Sequence, residues 1–389
     1  MLLFTGCADQ VVEAPTEIPD EEIVMMPDKP EIVIEEPIVV EPTPEQRVSF
    51  FGLGDNLIHS FVYRYAYESN GVYDFTPIYK NLATDIQNAD IAYINQETVL
   101  GGDHKGFSGY PNFNTPSDMA GSLVELGFDI VNGNNNHALD MGTDGLLNSL
   151  AYWAEYGDDV VFTGVFESQE QRDAIPIIEI DGVKISFLTY TYGTNAHVRD
   201  ASYQINYFDR DLITDDVKRA QELSDFVVLA AHWGDEYTMV PNQMQLDYAQ
   251  LFSDLEVDVV LGSHPHTIQP IEWVTGETGH KTLVIYSLGD VVSSAVKDIT
   301  LLGGSVSFDF VKTGEDRTIE NIHFEPNVNH YEAATPGNIN TRTNFEVIKL
   351  SDYTPELEQR HALNGHEGNV ISAQIYQEKV NEVIAEEFR

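Results

Sequence analysis

Val257-Asp258-Val259-Val260-Leu261-Gly262-Ser263-His264-Pro265-His266 is a short β-branched run that stops in a Gly-Ser turn and delivers two histidines across a proline. It is too short for a helix and ends on glycine, so it reads as a buried strand of an α/β sheet with a polar tail at its carboxyl end. Four other runs follow the same rule. Val48 to Gly52 leads through Gly54 to Asp55, with His59 close behind, and Ile91 to Asn95 leads to Gln96-Glu97. Asp129 to Val131 leads to Asn132-Gly133-Asn134-Asn135-Asn136-His137, and Phe226 to Ala231 leads to His232-Trp233-Gly234-Asp235-Glu236. In open α/β sheets the carboxyl ends of neighbouring strands open on one crevice. The five tails are therefore expected to share one site, although they span the chain from Asp55 to His266.

Outward from these runs the alternation continues, with further strands expected at Val160 to Thr163, Val183 to Tyr190, Thr282 to Tyr286 and Val306 to Val311. Helix starts are expected at Thr76-Pro77, behind Ser117 and at Thr214-Asp215-Asp216. A terminal amphipathic helix is expected within Val370 to Phe388, where Ile371, Ile375, Val380, Val383 and Ile384 recur near the helical period. Strand and helix in turn define a layered α/β domain.

Asp, Glu, Asn and His beside glycines that allow close backbone approach form the donor set of a hard or borderline divalent metal site. The imidazole content favours Mn, Fe or Zn over Mg or Ca. Two such ions can activate a shared water and hold both oxygens of an in-line displacement. Any one of these histidines alone would read as a surface or satisfied core residue; together they read as a polar site. Blander roles fit the neighbours: Trp233 as packing, Asp235 and Glu236 as outer partners of His232 or a solvated loop, and Asp140 as a cap of a helix near Thr143 or a partner of His137. Tyr190-Thr191-Tyr192 can line a groove, and Asp290 lies close enough to the crevice for contact.

The chain carries 64 Asp and Glu against 20 Lys and Arg, a net charge of −44 over 389 residues. Such a balance argues against nucleic acid or an anionic membrane surface as partner. Cys7 is the single cysteine, which excludes internal disulfides and thiolate clusters. Leu3-Phe4-Thr5-Gly6-Cys7 resembles the lipobox of bacterial lipoproteins, so residues 1–7 are expected to be the remnant of a signal segment and Cys7 to be lipidated. Residues 8–46 hold seven prolines and twelve acids with Lys29 as the one cation. Repeated proline and like charge predict a disordered, extended tether. An acylated, tethered chain would be anchored to a membrane on the extracytoplasmic side of a bacterial cell.

At the five tails the sequence resembles the bacterial poly-γ-glutamate capsule synthesis family called CapA, whose fold is similar to that of calcineurin-like metallophosphoesterases. The likeness runs from about Val48 to Asn327. It rests on Gly54-Asp55-Asn56-Leu57-Ile58-His59, Asn95-Gln96-Glu97, Asn135-Asn136-His137-Ala138-Leu139-Asp140, Phe162-Thr163-Gly164, His232-Trp233-Gly234-Asp235-Glu236-Tyr237, Gly262-Ser263-His264-Pro265-His266 and Tyr286-Ser287-Leu288-Gly289-Asp290. It implies a metallophosphatase-like β-sandwich flanked by helices over residues 47–330, followed by a C-terminal extension at 331–389. It also implies Asp55 and His266 on one metal and Glu97 as a bridge. Asn136, His232 and His264 would hold the second metal, with His137 as an uncoordinated acid, so that Asp55, Glu97 and His137 carry the chemistry. Two departures stand out: Leu57 occupies the place of a ligating histidine, with His59 two residues beyond, and Glu97 stands where aspartate is usual. One ion or two remains open on this reading. The resemblance implies a role in assembly or export of poly-γ-glutamate or a related surface polymer, with that polymer or its synthesis machinery as partner. A metal-dependent phosphoester hydrolase and a non-catalytic polymer-binding scaffold are the rivals.

Overall fold

The apolar runs become the parallel centres of two sheets. The computed structural model describes residues 44–389; Cys7 and nearly all of the 8–46 segment lie outside the described residues. Strands are β1 Glu45–Asn56, β2 Tyr67–Ser69, β3 Val72–Tyr73, β4 Ile91–Gln96, β5 Ile130–Asn132, β6 Val161–Thr163, β7 Ile177–Ile180 and β8 Val183–Thr191. They continue as β9 Phe226–His232, β10 Val259–Ser263, β11 Ile271–Thr275, β12 Lys281–Ile285, β13 Asp290–Val292, β14 Leu302–Thr313, β15 Asp316–Ala333 and β16 Arg342–Lys349. The first sheet runs β16-β15-β14-β1-β4-β5-β6, with β13 also paired to β1, and the second runs β11-β12-β10-β9-β8-β7. Parallel pairing links β1, β4, β5 and β6 in one sheet and β8, β9, β10 and β12 in the other.

Side-chain alternation explains the layering. Along β9, Phe226, Val228 and Ala230 join the large core shared with Phe50, Ile94 and Phe310 of the first sheet. Val227, Leu229 and Ala231 point the other way, onto Ile213 and Val217 of helix Arg210–Leu223 and Ala249 and Phe252 of helix Gln243–Asp254. Strands apolar on both faces are what a sheet covered on both sides requires. Phe226 meets Phe310 across the sandwich at 5.1 Å.

Several expected boundaries move. Thr76-Pro77 opens a 3-10 turn, Thr76–Tyr79. Ser117 precedes helix Asp118–Leu126, but its hydroxyl bonds Asp103 and not the helix end. The third helix begins four residues before Thr214, because Asp209 accepts from the Asp211 and Leu212 N–H groups. The C-terminal helix spans Ala373–Val383 and buries Tyr376 and Val380 in the main core. No break occurs at residue 330: β15 crosses it and β16 extends the same sheet, so 43–389 is one unit. Glu45 and Gln46, read from the sequence as the end of the 8–46 segment, already belong to β1. Among the described residues no helix is long and apolar enough to cross a membrane.

The extension carries a buried histidine with a fixed tautomer. His361 Nδ1 accepts the Leu363 N–H at 3.1 Å, and Nε2 lies 3.3 Å from the Asn329 carbonyl. A second ring proton would face the Leu363 N–H. Burial, reinforced by neighbouring His330, lowers its pKa from 6.5 to about 3. Stability from keeping this ring neutral is full above pH 6.5 and is lost as pH falls toward 3. Its share of the loss is about 2 kcal/mol by about pH 5. Denaturant unfolding of His361→Gln against wild type should show a shallower acid slope in the variant; an unchanged slope would refute this role.

Candidate metal centre

Backbone constraint sets the site. A Cβ on Gly54 would lie 2.1 Å from the Gly289 carbonyl oxygen, and one on Gly262 would lie 2.0 Å from that of Tyr286. These glycines let β1 and β10 press against the Tyr286 to Asp290 segment, and Asp55 N–H donates to Gly289 O at 2.9 Å. Asp55 pairs in register with Asp290 of β13. His264 and His266 hold left-handed backbone, with φ of 99° and 56°, in a conformation that L-residues seldom adopt. Such strain gathers where the surroundings fix a functional geometry. Here the turn is pinned by the His264 N–H, which donates to Asp55 Oδ2 at 3.0 Å.

The five tails meet. Asn95 Nδ2 donates to Asp55 Oδ1 at 2.8 Å. His266 Nδ1 lies 2.9 Å from Asp290 Oδ1 and 3.4 Å from Asp55 Oδ2, and its Nε2 lies 3.7 Å from Glu97 Oε1. His232 Nε2 lies 3.0 Å from Asn136 Oδ1 and 3.8 Å from Glu97 Oε1, while its Nδ1 contacts Ser263 Oγ at 2.8 Å. Three groups each bring ligand atoms within 4.8 Å of one another: Glu97, His232 and His264; Asp55, His266 and Asp290; Glu236, His264 and His266. Glu97 touches both of the buried groups, which is the place of a bridging carboxylate.

The electrostatics of the cluster suit a cation. Asp55, Glu97 and Asp290 are buried, and among the described residues none has a Lys or Arg partner. Both Glu97 oxygens, His264 Nδ1 and Asn136 Nδ2 are buried without hydrogen-bond partners. Unpaired buried carboxylates are costly unless charge compensates them. Burial, then the neighbouring Asp55 charge, pushes Glu97 well above the usual carboxylate range. Burial raises Asp290 to about 6 against the opposing pull of His266. At His266 burial works downward, yet Glu97 and Asp290 hold its pKa well above the ordinary value. Burial pushes His264 down to about 3 and His232 in the same direction, so both present neutral nitrogens. Three buried carboxylates and two neutral imidazoles, with the His266 ring as their one cationic partner among the described residues, fit a divalent metal.

His137 stands outside these groups. Its Nδ1 lies 2.7 Å from Asp140 Oδ2, which also accepts the Phe113 N–H at 2.7 Å. Asp140 is thus a partner of His137, and the helix it was expected to cap begins independently at Gly142. His59 does not replace the missing ligand at Leu57. It turns edge-on to Phe113 at 5.2 Å, its Nδ1 accepts the Ser294 N–H at 3.3 Å, and burial drives its pKa down to about 3. Trp233 is packing, buried against Phe252 and Tyr286 with its N–H on the Tyr286 carbonyl. Asp235 is exposed and joins none of the three groups, whereas exposed Glu236 reaches His264 and His266. Asp290 contacts His266 directly and holds its ring as outer carboxylates hold ligating histidines.

Sequence patterns did not mark Asn95 as the residue that orients Asp55, though it sits two places before Glu97. Of the rim they marked Tyr192, within Tyr190-Thr191-Tyr192 as a groove lining, and gave Tyr237 no role of its own. The Tyr192 ring lies 4.7 Å from that of His264, and the Tyr237 ring 5.9 Å from that of His266. Both tyrosines are partly exposed.

Fold and site together define a two-sheet α/β protein with a buried acid and histidine cluster able to hold divalent metal. The chain belongs to the family described as bacterial capsule synthesis protein PGA_cap, whose model matches residues 49–295. It is 29% identical over 197 residues to the PGA biosynthesis protein CapA of Bacillus subtilis, covering 50% of each chain. It is 24% identical over 225 residues to the capsule biosynthesis protein CapA of Bacillus anthracis, covering 55% of this chain and 53% of that one. The chain therefore spans about half the length of these curated relatives. Similar solved structures include a phosphatase from Mycoplasma pneumoniae, with 12% identity, TM-score 0.46 and coverage of 73% of this chain and 95% of that one. A calcineurin-like phosphoesterase from Bacillus subtilis shows 14% identity, TM-score 0.43 and coverage of 73% and 91%.

Proposed function

We propose that this protein acts in the assembly of poly-γ-glutamate or a closely related anionic surface polymer, and that its buried cluster is a divalent metal centre serving that task. Membership of the capsule synthesis family supports the polymer. One observation carries the centre: three buried carboxylates converge with His232, His264 and His266, and among the described residues no Lys or Arg partners them. Asp55, Glu97 and His266 would hold one ion and Glu97, Asn136, His232 and His264 the other, with Mn, Fe or Zn as the suited metals. Bound metal would supply an activated water and charge stabilisation for a hydrolytic or transfer step. The chain's own residues orient the donors through Asn95, Ser263 and Asp290. They also place His137, held by Asp140, to give a proton to a leaving group.

In the producing cell, Asp55→Ala and His264→Ala variants should fold, lose metal by elemental analysis and lose polymer output. Full polymer output from a metal-free variant would sink the reading. Turnover of an aryl phosphate with no change in polymer would favour the phosphoester hydrolase instead. The proposal includes extracytoplasmic placement through an acylated Cys7; intact mass spectrometry of the same preparations should find diacylglycerol there, and an unmodified thiol would remove the anchor.

A further inference from the structure

Lys297 stands at the rim of the metal cluster with its charge unspent. Its Nζ lies 3.1 Å from the centroid of the Tyr237 ring, and among the described residues it makes no ion pair within 4.0 Å. A cation over an aromatic face is attracted by the ring quadrupole and keeps its remaining N–H donors for another acceptor. Tyr237 in turn lies against His266, one of the candidate ligands.

Both supports of this pair are fixed. Tyr237 sits at φ 65°, and its N–H donates to the Pro265 carbonyl at 2.8 Å inside the His-Pro-His turn. The next carbonyl, of Thr238, accepts from Thr267 Oγ1 at 2.7 Å and Gln269 Nε2 at 2.9 Å. Lys297 rides on the segment between β13 and β14, which crosses from the site to the extension. Ser294 N–H reaches His59, the Ser293 carbonyl accepts from Asn329 Nδ2 at 2.9 Å, and the Ala295 carbonyl accepts from the Tyr331 hydroxyl. The ammonium is thereby held near the cluster by two independently anchored segments.

This placement matters because the protein carries a net charge of −44, which repels an acidic chain over most approaches. A local cation at the site's wall offsets that field where an anionic ligand must dock. A lone lysine offers a point charge without the two-pronged fork that arginine presents to phosphate. The half-exposed Tyr192 ring beside His264 and Tyr237 ring beside His266 suit methylene groups of a flexible backbone.

We infer that Lys297, braced on Tyr237, forms a subsite that takes a side carboxylate of an acidic polymer next to the group presented to the metal cluster. This rests on the polymer reading proposed above and makes Lys297 a specificity residue with no part in holding metal.

The test uses the full chain loaded with Mn²⁺ and two fluorescent probes, a γ-linked glutamate oligomer and its neutral γ-linked isoglutamine counterpart, in which each α-carboxylate is an amide. Anisotropy should show wild type binding the acidic oligomer more tightly, with the preference fading at high salt. Lys297→Gln should weaken acidic-oligomer binding about five- to tenfold and leave neutral-oligomer binding, metal content and thermal unfolding unchanged. Lys297→Arg should restore most of the affinity. If Lys297→Gln binds the acidic oligomer like wild type, the subsite is wrong while the polymer reading stands. If wild type binds neither oligomer, the polymer reading fails and the subsite falls with it.

Discussion

Glu97→Gln should make the metal-stripped protein more stable and the metal-loaded protein less so. Glu97 is fully buried, neither of its oxygens has a hydrogen-bond partner, and the Asp55 carboxylate is its neighbour. In chelator, a neutral amide of the same shape replaces a carboxyl whose ionised form is desolvated and repelled by Asp55, a gain on the order of 1–3 kcal/mol where that form would otherwise be populated. In saturating Mn²⁺ or Zn²⁺ the same change removes the one carboxylate that touches both buried ligand groups, and affinity should drop at least about a hundredfold. Ligand-linked stabilisation then falls by about 2.7 kcal/mol for each hundredfold at fixed metal. Denaturant unfolding with chelator and with metal should therefore show the two proteins exchanging order. Destabilisation under both conditions would make Glu97 a structural group and remove the bridge from the scheme.

Much of this site was legible because parallel strands of both sheets put their polar tails at their carboxyl ends, and those ends meet. Gly54-Asp55, Asn95-Gln96-Glu97, Asn136-His137, His232 and His264-Pro265-His266 each end a run whose apolarity on both faces marks it as central. Periodicity cannot carry further than that. Strand β15, Asp316 to Ala333, is long but rich in charged and polar residues on its exposed stretch, so nothing in its pattern announces a sheet. Its pairing with β14 and β16 is set by tertiary context. The same limit hid β13, three residues after a Ser-Leu-Gly turn, and with it the reason Asp290 lies beside Asp55. His59 shows the converse error. Spacing alone offered it as a substitute for the ligand absent at Leu57, but the chain turns into helix Ser60–Ala66 and carries its ring to Phe113 and Ser294. Lys297 and Tyr237 are sixty residues apart in sequence and meet only because two loops converge on one rim.

His137→Gln should separate proton delivery from metal binding more sharply than any ligand substitution. With Nδ1 committed to Asp140 and the ring edge-on to Phe113 at 4.7 Å, the remaining nitrogen is Nε2, on a side chain outside every ligand group. A general acid so held contributes about 10²–10⁴ in rate. On the proposed reading, glutamine at this place should lower the metal-dependent step, read as polymer output in the producing cell, by about that factor, with metal content and oligomer affinity unchanged. Asp140→Asn frees the imidazole to turn or change tautomer, and the loss should be smaller, about ten- to a hundredfold. His59→Gln, which belongs to none of the ligand groups, should stay within about twofold of wild type. Loss of metal in His137→Gln would convert it into a ligand and rearrange the cluster. Wild-type output with metal intact would instead leave the leaving group to be protonated by water, and the His137 and Asp140 pair would be a hydrogen bond that shapes the loop and nothing more.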